Sequence, residues 1–169
     1  MQVLCFPELC LSGYGCEDAF YSPFVSDACL QSLWQILPLT QNKVITLGLP
    51  YFYKGSLFNT VAFIANQKIL GFVPKKVLAN DGVYYENRWF KPWDVGRFEE
   101  VELYNPITKS KEKIPFGDIY FNIGDIRFGL EICEEAWVAN RIGAALAEKS
   151  VDVILNPSAS HFAFSKQEI

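Results

Sequence analysis

Three observations place this chain in the α/β class. Short apolar runs bounded by turn residues recur along it, two pairs of these runs read as hairpins, and a segment of helical period lies between two apolar runs late in the chain. Residues 2–6 form an apolar run ending at Pro7, which predicts a buried strand opening into a loop. Ser26 is a candidate N-cap for a helix over residues 27–37, where Cys29, Leu30, Leu33, Trp34 and Leu37 fall at helical spacing. Residues 44–49 are apolar and partly β-branched, as in a buried strand. Residues 57–64 and 69–73 flank a turn at 65–68 and predict a hairpin. The stretch 91–117 is the most polar, with Lys109, Lys111 and Lys113 around Glu112, and reads as a solvated connecting loop. Ile119, Phe121 and Ile123 alternate up to Gly124-Asp125, and Ile126, Phe128, Leu130 and Ile132 alternate after it, a second hairpin. Residues 136–149 have helix-compatible spacing, and 151–155 read as another buried strand. The expectation is about seven strands and two helices around a mixed sheet. Two helices are few for such a sheet, and the chain opens inside an apolar strand and stops on polar residues soon after another. A piece of a larger domain is therefore expected.

Composition narrows the function classes. The chain has 169 residues, half of them hydrophobic, and its 20% charged residues lie below the roughly 25% usual for soluble domains. One domain is the natural count, burying roughly two-thirds of its unfolded surface. A net charge of −4 argues against a binder of nucleic acid, which needs a basic face. The longest charge-free stretch, residues 28–42, is broken by Ser32, Pro38 and polar amides and falls short of the ~20 apolar residues of a membrane span. No secretory signal opens the chain, so a soluble, cytoplasmic protein is expected. Cys5, Cys10, Cys16, Cys29 and Cys133 form no close pair, and the one histidine, His161, lies far from the early cysteines, so no metal site is expected. Most of these thiols should be buried small hydrophobes.

Cys133 stands apart, at the end of a strand and just before a helix, where α/β proteins place working groups and where a helix N-terminus favours a thiolate. Glu131, Glu134 and Glu135 surround it and would raise its pKa if they faced it, so a reactive Cys133 needs a cation nearby. A cysteine nucleophile also needs a base. Two are available: His161, after the next strand, and Glu8, a carboxylate in an apolar run whose burial would raise its pKa towards neutrality. Lys75 or Lys76 could supply the cation. As neighbours they should point in opposite directions, one solvated and one inward, and spacing does not choose between them. Residues 82–90 are dense in aromatics around Glu86 and Arg88, as in a packed loop with an ion pair.

Taken together these segments resemble the nitrilase, or carbon–nitrogen hydrolase, superfamily, whose Glu–Lys–Cys triad runs in this chain order. Phe6-Pro7-Glu8-Leu9 with Ser12-Gly13-Tyr14 looks like its Glu motif and Pro74-Lys75-Lys76-Val77-Leu78 like its Lys motif, a match that selects Lys75. Leu130-Glu131-Ile132-Cys133-Glu134-Glu135-Ala136-Trp137 looks like its Cys motif. Residues 78–82, 86–90 and 156–160 are further similar to the glutaminase domains of glutamine-dependent NAD⁺ synthetases.

The resemblance implies a four-layer α-β-β-α sandwich, incomplete at both ends in this chain, and hydrolysis of the glutamine side-chain amide through a Cys133 thioester. Glu8 would be the acid–base group and Lys75 the cation for the oxyanion. It carries over Glu134, Ser160 and Lys166 as contacts to L-glutamine, and Glu86 as an acid supporting Lys75. Some members have a glutamine-contacting Tyr where this chain has Asp81. The ATP-dependent synthetase half, with its ATP, Mg and deamido-NAD⁺ sites, is expected on the same polypeptide outside these residues, with no cofactor needed for the glutaminase step. A homo-oligomer is expected by resemblance. The competing expectations are a stand-alone amidase acting on another small amide, and a non-catalytic domain that binds a partner.

Overall fold

The computed structural model describes residues 2–161 and 164, which form nine strands and two α-helices. Six strands make one sheet: β1 (Gln2–Cys5), β2 (Lys43–Tyr53), β3 (Ser56–Ala65), β4 (Lys68–Pro74), β5 (Phe98–Asn105) and β6 (Ser110–Gly117), in the order β1-β2-β3-β4-β6-β5. The other three, β7 (Phe121–Ile123), β8 (Ile126–Leu130) and β9 (Val153–Leu155), make a second sheet in that order. α1 (Pro23–Ile36) and α2 (Ile142–Glu148) complete the described elements.

Local chemistry sets the connections. β1 and β2 are parallel, which demands a crossover, and the segment carrying α1 supplies it. β2, β3 and β4 form an antiparallel meander joined by two-residue turns. Both turns place their central residues at positive φ, Lys54 and Gly55 in the first, Asn66 and Gln67 in the second, the backbone that matches the twist of a tight hairpin.

The alternation of β3 builds two cores. Phe58, Ala62 and Ile64 point to one side, where they pack with Cys29, Leu33 and Trp34 of α1 and with Phe72 and Phe116. Val61, Phe63 and Ala65 point to the other, against Phe121, Phe128 and Leu130 of the smaller sheet. Phe63 and Phe121 stack across the two sheets with centroids 4.1 Å apart and planes 4° from parallel. On the far side of the smaller sheet, Leu146 of α2 covers Gly129 so closely that a Cβ there would lie 2.7 Å from it. The layers therefore run helix, sheet, sheet, helix.

Several expectations are corrected. The stretch 91–117 is not a solvated loop: β5 and β6 form a hairpin, and β6 runs parallel to β4 through the Phe72–Phe116 pair. The buried apolar side chains of this hairpin are Val101, Ile114 and Phe116, with Leu103 packed beside them, and the lysines occupy the solvent side. β1 is exposed along its length because no described element covers its outer edge, and β9 is only partly buried at the edge of its sheet. α1 starts a turn earlier than expected, with Ser22 at its N-cap, Pro23 in its first turn and Ser26 buried inside it. α2 is half the expected length, since the chain after Cys133 makes a short 3-10 turn and only becomes α-helical beyond Arg141. Cys5 is exposed and Cys10 and Cys16 are half-buried, leaving Cys29 and Cys133 as the buried thiols.

Candidate active site

Glu8, Lys75, Cys133 and Ser158 all lie in the segments that follow the last residues of strands: β1, β4, β8 and β9. Glu8 is fixed by its neighbours' backbone. Leu9, wholly buried, takes φ 52°, and its carbonyl accepts the N–H groups of Ser12 and Gly13 at 3.2 and 2.8 Å. Gly48 of β2 permits this turn, because a Cβ there would run into the main chain of Glu8 and Leu9.

The Glu8 carboxylate is 1% exposed and uses its oxygens unequally. Oε1 accepts from Asn59 Nδ2 at 2.7 Å and from Lys75 Nζ at 2.5 Å, whereas Oε2 is buried with no hydrogen-bond partner among the described residues. Lys75, fully buried, also donates to Glu86 Oε1 at 2.8 Å. Glu86 in turn accepts the Tyr14 hydroxyl at 2.6 Å and the Ala79 N–H at 3.2 Å. Two carboxylates and one ammonium thus share a volume closed to solvent. Burial works against the Lys75 ammonium, but Glu8 and Glu86 outweigh it and hold its pKa above the ordinary lysine value. Burial, only partly offset by Lys75, pushes Glu86 up, and the Glu8 charge adds to this. Burial and the adjacent Glu86 push the Tyr14 phenol far up, so it stays a donor.

Cys133 takes φ 46°, a left-handed backbone that costs a non-glycine residue ~1 kcal/mol or more and that clusters at functional sites. Its N–H is anchored on the Pro157 carbonyl at 3.1 Å, and the Ser158 hydroxyl donates to its Sγ at 3.2 Å. Burial first, then the Glu8 carboxylate, raise the thiol's pKa; the Ser158 hydrogen bond and the Lys75 charge pull it down without cancelling the rise. Its surroundings therefore favour the thiol over the thiolate.

The nearby glutamates do not act on the thiol as expected. Glu131 turns away to Arg141, accepting at 3.1 and 2.6 Å, and to the Gly143 N–H at 2.5 Å. Glu135 is held by the N–H groups of Lys76 and Ile132. The acid that faces Cys133 comes from 125 residues away in sequence, in the loop after β1. The lysine pair differs from expectation too. Lys75 and Lys76 do diverge, but neither is solvated: Lys76 is buried with its Nζ 3.3 Å from Asp118 and 3.9 Å from Glu135.

Of the other candidates, Glu134 is half-buried beside Cys133 and Ser160 is exposed two residues beyond Ser158. Asp81 is exposed in a turn, its carbonyl accepting the Tyr84 N–H at 3.0 Å. His161 engages Tyr84, its Nδ1 lying 2.9 Å from the hydroxyl and its N–H donating to the same oxygen at 2.8 Å. Lys166 lies outside the described residues. Asn59, Tyr14 and Ser158 were not singled out from the sequence. Asn59 was signalled by a polar Asn-Thr pair inside the apolar run of β3; Tyr14 and Ser158 stood within quoted motifs but had no spacing that marks them. Among the described residues no group of His, Cys, Asp and Glu side chains could hold a metal, and no helix is long and apolar enough to cross a membrane.

A four-layer α/β sandwich that brings a carboxylate, an ammonium and a thiol together at the ends of its strands has the parts that nucleophilic catalysis by a cysteine requires. The chain belongs to the carbon–nitrogen hydrolase family, whose model matches residues 1–168. It is 37% identical over 170 residues to the glutamine-dependent NAD(+) synthetase of Bos taurus, a match that takes in 95% of this chain and 23% of that protein. Among solved structures it is similar to a glutamine-dependent NAD(+) synthetase from Cytophaga hutchinsonii, with TM-score 0.84 and 37% identity over 99% of this chain and 26% of that one. A carbon–nitrogen hydrolase from Helicobacter pylori, 18% identical with TM-score 0.73, shares the fold over 98% of this chain and 51% of its own. The chain thus spans about a quarter of the length of its NAD(+) synthetase relatives.

Proposed function

We infer that this chain is the glutaminase part of a glutamine-dependent NAD⁺ synthetase, releasing ammonia from L-glutamine for use elsewhere on the same polypeptide. The observation that carries the reading is the division of labour on Glu8. One oxygen is saturated by Lys75 and Asn59, and the other is buried, without a hydrogen-bond partner among the described residues, and part of a carboxylate whose charge acts on the Cys133 thiol.

In the proposed cycle Glu8 Oε2 takes the thiol proton as Sγ attacks the carboxamide carbon. The carbonyl oxygen gains the negative charge and the Lys75 ammonium stabilises it, an effect typically worth ~3 kcal/mol or more. Glu8 then gives its proton to the departing nitrogen, the C–N bond breaks, and ammonia leaves a γ-glutamyl thioester on Cys133. Water attacks that thioester while Glu8 again accepts a proton. The C–S bond breaks, glutamate forms and the proton returns to sulfur. One carboxylate alternating as base and acid suits an amide, whose leaving nitrogen must be protonated. Ser158, donating to Sγ, would steady the sulfur each time it carries charge. Glu134, Ser160 and Lys166 are proposed as contacts to the amino-acid end of glutamine, and Glu86 as the support that holds Lys75. Sites for ATP, Mg and deamido-NAD⁺ are assigned to the part of the relatives' length outside this chain.

Five cysteines, all free, support a reducing, cytoplasmic setting. A homo-oligomer is proposed on the family resemblance alone. The test is ammonia release from glutamine by the full-length protein. In Cys133→Ala glutamine-dependent NAD⁺ formation is lost while added ammonium salt still sustains it. Glutamine-dependent synthesis that survives this change would overturn the reading.

A further inference from the structure

Glu135 does more than sit beside the nucleophile. Its carboxylate is fully buried, and its two oxygens serve two different loops: Oε1 accepts the N–H of Lys76 at 2.5 Å and Oε2 the N–H of Ile132 at 2.6 Å. The first N–H belongs to the peptide that follows Lys75, and the second lies one residue before Cys133. β4 and β8, which lead into these loops, are in separate sheets with no ladder between them. The sheets meet through apolar packing, which is non-directional and leaves their relative sliding weakly specified. A carboxylate accepting one bond from each side supplies that missing register. Burial pushes its carboxyl pKa up, and the Lys76 ammonium and both N–H donors oppose this without cancelling the rise. Lys76 is itself held by Asp118, which closes the arrangement from the loop after β6.

We propose that Glu135 is a positioning residue that sets the distance between the Lys75 ammonium and the Cys133 thiol, bridging the two loops through their main-chain N–H groups. Only a group with two acceptor oxygens can do this. Gln has the same shape but must turn an NH₂ towards one of the N–H donors, so it breaks one bond and leaves a donor facing a donor. The effect falls mainly on the chemical step, since a misplacement of the order of 1 Å costs about 100-fold in rate, while Glu134, on the same turn, shifts with Cys133 and adds a smaller change in KM.

The inference rests on the thioester reading of the site. The experiment is to titrate active sites of the full-length protein with a glutamine-like diazoketone, locate the label by peptide mass spectrometry, and measure kcat and KM for glutamine per labelled site. For Glu135→Gln the expected result is kcat per site down by about 100-fold with a much smaller change in KM, and partial recovery in Glu135→Asp, which keeps two acceptors. Wild-type kcat per site in Glu135→Gln, or a loss accounted for wholly by fewer labelled sites, overturns the proposal. If the Gln variant does not fold, Glu135→Asp carries the same test: its kcat per site must fall by a larger factor than its KM rises. A wild-type protein that takes no label on Cys133 fails the thioester reading, and the proposal with it.

Discussion

Lys75 Nζ lies 2.5 Å from Glu8 Oε1, both side chains wholly shielded from solvent, with Glu86 2.8 Å away on the ammonium's other side. A single cation therefore neutralises two buried acids. Replacing it with Met leaves both carboxylates unpaired, and breaking a buried pair in this way costs ~3–5 kcal/mol. Lys75→Met should lower the urea midpoint clearly and reduce ammonia release below detection. Lys75→Arg keeps the charge but not the shape, and should recover stability before it recovers activity. Equal stability of Lys75→Met and wild type would contradict the assigned pairing.

The Glu8 charge raises the pKa of the Cys133 thiol, after burial the largest cause. Glu8→Gln removes that charge and leaves the Lys75 ammonium in place. The pKa of Cys133 should then fall, so the pH at which iodoacetamide alkylation reaches half its limiting rate moves down, even as glutamine turnover disappears. A variant that is inactive yet more readily alkylated near neutral pH separates the base from the nucleophile. A midpoint that stays or rises counts against Glu8 facing the thiol.

Ser158 donates its hydroxyl to Cys133 Sγ at 3.2 Å and stabilises the ionised form. Hydrogen bonds to charged groups contribute ~1.5–3 kcal/mol, so Ser158→Ala should slow thioester formation at least tenfold. The alkylation midpoint should move up, opposite to Glu8→Gln. Single-turnover release of ammonia measures the first effect, and the alkylation profile checks the second.

Gly48 lets the Glu8 turn lie directly on β2. A Cβ there would meet the Leu9 nitrogen and stand 2.9 Å from the Glu8 carbonyl carbon and the Pro7 oxygen, all main-chain atoms with little room to move. Gly48→Ala should destabilise the fold by ~1–3 kcal/mol, as overpacking does, and should displace Glu8. Denaturant unfolding and ammonia release by the same preparation would show both losses together. Full activity in Gly48→Ala would mean that the turn does not need this close approach.

The parts of the fold legible in the sequence were those whose burial is two-sided or cleanly alternating. The β3–β4 and β7–β8 hairpins announce themselves by apolar runs and short turns. The β5–β6 hairpin does not, because its solvent face carries Glu100, Glu102, Lys111 and Lys113, and every second residue alone reports burial. The helix expected over 136–149 is shortened to α2 for a local reason. The chain must first make the 3-10 turn at Cys133–Ala136, and Arg141 then reaches back to Glu131 just before α2 begins.

The site was legible where chemistry-bearing residues stand in unusual company: Glu8 in an apolar run, Cys133 between strand and helix. What local sequence hides is the direction in which a side chain points. Three acids crowd Cys133 in sequence, yet Glu131 and Glu135 are held away from it by Arg141 and by main-chain N–H groups. Lys76 resembles a solvated neighbour of Lys75 but is drawn inward by Asp118, 42 residues further along. Such partners come from other strands, and no spacing rule reaches them.

The most direct measurement is intact and peptide mass spectrometry of the full-length protein after exposure to a glutamine-like diazoketone. The expected result is one adduct per chain on Cys133, suppressed by excess glutamine and lost in Cys133→Ala. An adduct on another residue, or glutamine hydrolysis that continues in Cys133→Ala, would contradict the account.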